Sequence, residues 1–319
     1  MSAGEVLIYY ANETAPVDLE LENYQTFAKW LSEMDTEKTR KMARALLADA
    51  EEFPAAVDRE IETLQEATRS GAINLPVMIF TNRLARQNLC QVLRPGQAPQ
   101  DVSFEIRKTG LLVEDGNPLC RREALEQAVA LAAELFPPKE HEFVLITKSH
   151  GSATQALTVR LQRDFREFSR EKLEALLEAP ETEVPVLMGV TKPELFDVLA
   201  KAGHQQGMEF RAVFIESCRG TFDVSTMQQF PENIQQLFAS GDRFLEYQTL
   251  DYPQLVQTVA ESDRFSTALK QQLGDKYLAI RRDSSSTSWQ TWLWFLPAAL
   301  FAGLWARSRV RPVSDASEV

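Results

Sequence analysis

The sequence predicts an α/β protein, a sheet covered by helices on both faces. Short apolar runs alternate with helical stretches along the chain, the pattern of strands threaded between packing helices. Hydrophobic residues make up 44% of 319 positions, enough to bury a sizeable core. The third observation is where two reactive groups fall. His150-Gly151 come just after the run Phe143-Val144-Leu145-Ile146-Thr147, and Cys218-Arg219-Gly220 just after Val213-Phe214-Ile215. In an open parallel sheet the carboxyl ends of the strands are where ligands bind, because there side chains leave the core and loops can cup a substrate.

The elements follow in order. The apolar run Val6 to Asn12 opens the chain with a strand, with candidate bounds 5–10, before an acidic loop and a helix holding Phe27, Trp30 and Leu31. Met42, Ala45, Leu46 and Ala50 form one amphipathic stripe, interrupted by Asp49, and Val57, Ile61 and Leu64 form another beyond Phe53-Pro54. A strand at 75–81 precedes a hairpin of 91–94 and 102–107, joined through Pro95-Gly96-Gln97-Ala98-Pro99 at the sheet's edge. A helix from about Glu123 to Phe136 stops at Pro137-Pro138 and leads into the strand 142–148. Gly203 marks an apparent helix end, with His204 as a C-terminal cap residue. Strands at 210–216 and 236–240 complete the sheet.

The chemistry suggested at the two strand ends is that of a cysteine nucleophile. A thiol with a pKa near 8.5 is mostly protonated at neutral pH, and an imidazole either takes its proton or stabilises the thiolate. A single Cys after a strand is usually a small buried hydrophobe, and a single His-Gly usually a turn. Their shared placement, each beside a small glycine, joins them as a dyad. Rivals are few. Cys90 lies in a polar stretch, Cys120 follows the turn-like Asp115-Gly116-Asn117-Pro118, and His141 sits between Glu140 and Glu142 as a surface residue.

With Glu216-Ser217-Cys218-Arg219-Gly220 beside His150-Gly151, the chain resembles the caspase-like cysteine peptidases, whose motif after the nucleophile strand is closely similar. In its order of elements it resembles the bacterial clostripain-like branch over residues 4 to 250, with Gln236-Leu237-Phe238-Ala239-Ser240 similar to the strand that walls the specificity pocket. The resemblance implies a three-layer α/β/α sandwich with a mostly parallel central sheet. It also implies an oxyanion hole formed by the amides of Gly151 and Cys218. Glu216, two positions before the nucleophile and on the same strand face as Cys218, becomes the pocket carboxylate that favours Arg or Lys in a protein or peptide substrate. Asp242 is a second acid at that pocket or a turn residue, and Glu216 has the alternative of a salt bridge with Arg219 or another base. The loop Lys148-Ser149-His150-Gly151-Ser152 departs from the Asp-His-Gly-Gly run of close clostripain relatives. The His-to-Cys separation also exceeds the caspase figure of about 50 residues. An insertion spanning Leu157 to Leu161 and Phe165 to Leu177 accounts for the excess. Its Arg160, Arg163, Arg166, Arg170 and Lys172 suit either an activation or processing loop or a solvated amphipathic helix.

Charge and motif content narrow the partners. With 34 basic and 46 acidic residues, net −12, the chain argues against nucleic acid as a partner and is compatible with a cationic substrate. No Cys-X-X-Cys, His-Glu-X-X-His, calcium-loop or phosphate-cradling glycine motif is present, so no metal or cofactor is expected. Three cysteines imply no disulfide framework and suit a reducing compartment.

The domain reading is a peptidase domain at 1–250 with a helical extension at 251–280. A polar linker at 281–288, an apolar helix at 289–306 and a polar tail at 307–319 follow. Residues 289–306 are uncharged, rich in Leu, Phe and Ala, and carry Trp289, Trp292, Trp294 and Trp305. As a helix they span roughly 27 Å, near the hydrocarbon thickness of a bilayer. Trp at both ends suits the interfaces, and Pro297 is tolerated in such a helix. Arg307, Arg309 and Arg311 favour the cytoplasmic side for the tail, whereas Met1-Ser2-Ala3-Gly4-Glu5 lacks the basic region of a signal peptide, and Arg281 and Arg282 flank the helix on the catalytic side. The expectation is a single-pass, C-terminally anchored membrane protein with a cytoplasmic catalytic domain. By family analogy its role lies in a prokaryotic stress or defence pathway. A catalytically silent membrane-tethered binding protein and a transamidase are the alternatives.

Overall fold

The structure, a computed structural model, describes residues 3–12, 53, 55–81, 90–104, 122–149, 155–158, 189–217, 222, 224–239 and 249–281. The chain divides into two compact units, Met1–Arg282 and Asp283–Val319. The second unit lies outside the described residues, as do the predicted apolar helix at 289–306 and most of the linker. Among the described residues no helix is long and apolar enough to cross a membrane.

Ten strands are described. They are β1 (Gly4–Asn12), β2 (Val77–Thr81), β3 (Cys90–Leu93), β4 (Gln100–Val102), β5 (His141–Ser149), β6 (Gln155–Thr158), β7 (Gly189–Thr191), β8 (Phe210–Glu216), β9 (Gln236–Ala239) and β10 (Leu278–Arg281). Eight of them form one sheet in the order β10-β9-β8-β5-β1-β2-β3-β4. The centre, from β9 through β8, β5 and β1 to β2, is parallel, and β10, β3 and β4 add antiparallel edges. The chain runs outward from β1 to β2 and then returns to add β5, β8 and β9 on the other side. This reversal between β1 and β5 is where open α/β sheets form their crevice.

Strand alternation divides the core in two. Val6, Ile8 and Tyr10 face one layer with α2 (Arg122–Leu135) and α3 (Lys192–Gln206). Leu7, Tyr9 and Ala11 face the other, with the helix at 55–69 (α1), α5 (Tyr252–Ser262) and α6 (Phe265–Tyr277). A short α4 (Val224–Met227) precedes β9. The result is a three-layer sandwich whose central strands are apolar on both sides, as continuous runs such as Val6–Ala11 and Val213–Ile215 require. Residues Tyr252–Ser262 and Phe265–Tyr277 are helical, and the chain then adds β10, Leu278–Arg281, to the sheet's edge. At its start, α6 is tied to β1: the Ser266 amide donates to Glu5 Oε2 at 3.0 Å and its hydroxyl to Glu5 Oε1, a carboxylate at a helix N-terminus.

Strands β3, β5, β8 and β9 lie where the sequence reading has them, within a residue or two at the described ends, but the second strand of the hairpin, expected at 102–107, is β4 at Gln100–Val102: residues 103 and 104 are not in a strand, and 105–107 lie outside the described residues. Strands β6, β7 and β10 were not expected, being only three or four residues long, too short to show an alternation. β6 and β7 pair antiparallel; the predicted insertion, Leu157 to Leu177, begins inside β6, and its residues from 159 onward lie outside the described residues. The predicted helices around Phe27 and Met42–Ala50 also lie outside them.

Gly203 does not end its helix. α3 begins with a capping box in which Thr191 and Glu194 satisfy each other's backbone, and it continues to Gly207, whose φ of 74° closes it. His204 is an exposed residue of the last turn. Glycine stands at 203 because a Cβ there would meet Asn233 Cγ and Nδ2 at 2.6 Å. Asn233 cannot yield easily, since its amide donates to the carbonyls of Leu199 (2.9 Å) and Met208 (3.0 Å). Gly203→Ala is therefore expected to destabilise the fold by about 1–3 kcal/mol through overpacking, despite alanine's better helix propensity. Equilibrium denaturation checks this, and a stabilised variant would contradict it.

Candidate active site

β5 and β8 lie side by side and parallel, with Val144 paired to Ala212, Ile146 to Phe214 and Lys148 to Glu216. Lys148 and Glu216 are thus Cα partners at the carboxyl ends of their strands. His150 follows Lys148 at the same offset as Cys218 follows Glu216. His150, Gly151, Cys218 and Asp242 lie outside the described residues; the described residues nearest His150 and Cys218 in sequence are those at the carboxyl ends of β5 and β8.

The described side chains at these strand ends form a buried ion cluster. Lys148 is 1% exposed. Its ammonium donates to Glu60 Oε1 and, at 3.3 Å, to Glu216 Oε1, and it lies 6.0 Å from the centre of the Phe53 ring. The Tyr9 hydroxyl donates to the other Glu60 oxygen at 2.6 Å, and Tyr252 packs edge-on against Tyr9 with centroids 6.1 Å apart. The Thr249 amide donates to Glu216 Oε1 at 3.3 Å. All these side chains lie on the sheet face carrying α1 and α5, because 144, 146 and 148 alternate onto it from β5 and 212, 214 and 216 from β8.

Burial alone would lower the Lys148 pKa, but Glu216 and Glu60 outweigh it and raise it, so the ammonium stays charged. For Glu60 the balance goes the other way. Desolvation pushes its carboxyl from 4.5 up to about 7 against the pull of Lys148, with Glu216 adding to the rise. Tyr9 and Tyr252 are held above the ordinary phenol value, by burial first and by Glu60 next, and stay protonated.

Glu216, the predicted pocket carboxylate, is 3% exposed and bonded to Lys148, the salt bridge to a base that its sequence position left open. Only one of its oxygens is engaged: Oε2 is buried and has no hydrogen-bond partner among the described residues. The Ser217 hydroxyl, beside it in sequence, is likewise buried without one. Among the remaining thiols and imidazoles, Cys90 is buried in β3 with its pKa pushed up to about 12 by desolvation, which leaves an inert thiol. His141 lies at the opposite end of β5, with Nδ1 3.3 Å from the Pro137 carbonyl oxygen and its ring edge-on to Phe136. Among the described residues no group of His, Cys, Asp and Glu is arranged to hold a metal ion.

The sequence reading missed Lys148 and Glu60. Both carried a signal. Lys148 extends an otherwise apolar buried strand. Glu60 falls three residues after Val57 and four before Leu64, inside the apolar stripe of its helix.

These features define an α/β three-layer sandwich with a charged, desolvated cluster under the carboxyl ends of its two central strands. No protein-family model matches the chain, and no curated protein matches it. Among solved structures it is similar to a secreted C11 cysteine protease from Bacteroides thetaiotaomicron in complex with an irreversible peptide inhibitor. That likeness has a TM-score of 0.44 and 11% identity, over 86% of this chain and 58% of that one. A second structure of a secreted C11 cysteine protease from the same bacterium, called iotapain, matches with a TM-score of 0.39 and 8% identity, over 76% of this chain and 53% of that one. The chain therefore spans little more than half the length of these structures.

Proposed function

We propose that this protein is a cysteine endopeptidase acting through His150 and Cys218. The observation that carries the reading is the register of β5 and β8: Lys148 opposes Glu216, and the imidazole and the thiol each follow two residues later. His150 takes the Cys218 proton as sulfur attacks the scissile carbonyl. The oxyanion is held by the amides of Gly151 and Cys218, and His150 returns the proton to the leaving amine. Water then hydrolyses the thioester, with the imidazole again moving the proton. The Glu216 carboxylate, with Asp242 as a second acid, favours Arg or Lys before the cut, supported by the unpartnered Oε2. The apolar stretch 289–306 tethers the enzyme to a membrane, with the catalytic unit on the cytoplasmic side and substrates that approach that surface.

The test is turnover of fluorogenic peptides ending in Arg, Lys, Asp or Asn by the full chain, beside Cys218→Ala. Turnover after Arg or Lys, lost in the variant, is the expected result. Cleavage after Asp or Asn alone keeps the dyad and removes the basic preference. Turnover that survives in Cys218→Ala rules out the thiol, and none with any peptide favours a binding role for the fold.

A further inference from the structure

We propose that Lys148 is a specificity-determining residue of this site, an internal cation that competes with the basic side chain of the substrate for Glu216. The inference rests on the peptidase reading and extends it to a residue outside the dyad and its pocket motif. The Lys148 ammonium donates at 3.3 Å to the same Glu216 oxygen that receives the Thr249 amide, while Oε2 has no partner among the described residues. Oε2 is itself buried, so a substrate guanidinium or ammonium that reached it would meet a carboxylate whose charge is already shared with a buried cation. Two cations on one carboxylate repel, and in a desolvated site that repulsion is weakly screened.

Glu60 is the counterweight. It bonds Lys148 from α1 and draws the ammonium towards the helix; no hydrogen bond joins it to Glu216 among the described residues, and the two carboxyls repel. It is a positioning residue. Selectivity for Arg or Lys over an uncharged residue is then a balance in which Glu60 and Lys148 pull in opposite directions. Neutralising Lys148 releases the full Glu216 charge to the substrate, whereas neutralising Glu60 commits Lys148 to Glu216.

The experiment measures kcat/KM for paired peptides ending in Arg or in Gln, with the full chain at about pH 8, above the Glu60 value of about 7. It compares the native protein with Lys148→Gln and Glu60→Gln. The Arg-to-Gln ratio is expected to rise about tenfold in Lys148→Gln, the scale of one modest electrostatic contact, and to fall several-fold in Glu60→Gln. A purely structural role lowers both peptides alike and leaves the ratio unmoved. If Lys148→Gln does not fold, Glu60→Gln decides alone, because its amide copies the protonated carboxyl in shape. Native turnover with ratios unchanged in the folded variants overturns this inference and leaves the peptidase intact. No native turnover, with no labelling of Cys218 by a thiol-directed peptide inhibitor, overturns both.

Discussion

Lys148→Met is expected to destabilise the fold by about 3–5 kcal/mol at pH 7.5, the range for removing one partner of a buried ion pair. The cost comes from the carboxylates left behind, since Glu60 and Glu216 are both almost fully buried and each bonds the Lys148 ammonium. The methionine side chain has a similar length and packs against Phe53, so little is lost by volume. Neutralising the carboxylates as well, in Lys148→Met/Glu60→Gln/Glu216→Gln, should restore at least half of the loss, because charge-free groups of the same shape no longer need the cation. Urea denaturation of the three proteins measures this. A loss below about 1 kcal/mol in Lys148→Met would mean that water reaches the cluster and compensates the charges.

Glu60 makes stability fall as pH rises. Its folded-state pKa lies near 7 against 4.5 for the free group, so between those values the folded protein holds a proton that the unfolded chain has released. Stability from this group is fully present below about pH 4.5 and is lost as pH rises through about 7. The shift corresponds to about 3 kcal/mol at its full extent. Among the described residues the neighbouring ionisable groups are Lys148 from β5, Glu216 from β8, Tyr9 from β1 and Tyr252 from α5. Of these, the lysine and the two tyrosines are pushed to higher values and stay protonated across this window. Comparison of the native protein with Glu60→Gln isolates the effect. The native protein should lose stability relative to the variant between pH 5 and pH 8. A difference that is flat with pH would show that Tyr9 and Lys148 keep the carboxyl ionised throughout.

The strands near the centre of the sheet were legible because buried parallel strands are apolar on both faces, and Val6–Ala11, Phe143–Ile146 and Val213–Ile215 read as unbroken runs. The short strands carried no such pattern. β10 exists because the chain beyond α6 can pair with β9, and β6 and β7 because they can pair with each other, decisions made by distant partners. Gly203 was misread as a helix end for a similar reason: glycine serves there as a gap for Asn233, thirty residues away by sequence, and the cap is Gly207. Glu216 was legible as a carboxylate near the site, but not its company.

Local sequence was enough to specify the α/β class, the two apolar strands that end near His150 and Cys218, and the acid two residues before the thiol. Such features depend on side-chain period and residue type, which each segment carries within itself. Tertiary structure decided that Lys148 meets Glu216 across parallel strands, and that α1 delivers Glu60 to the same ammonium from 88 residues away. Whether a buried charge is matched depends on which elements pack against it, and desolvation makes that matching decisive for the charge state of the whole cluster.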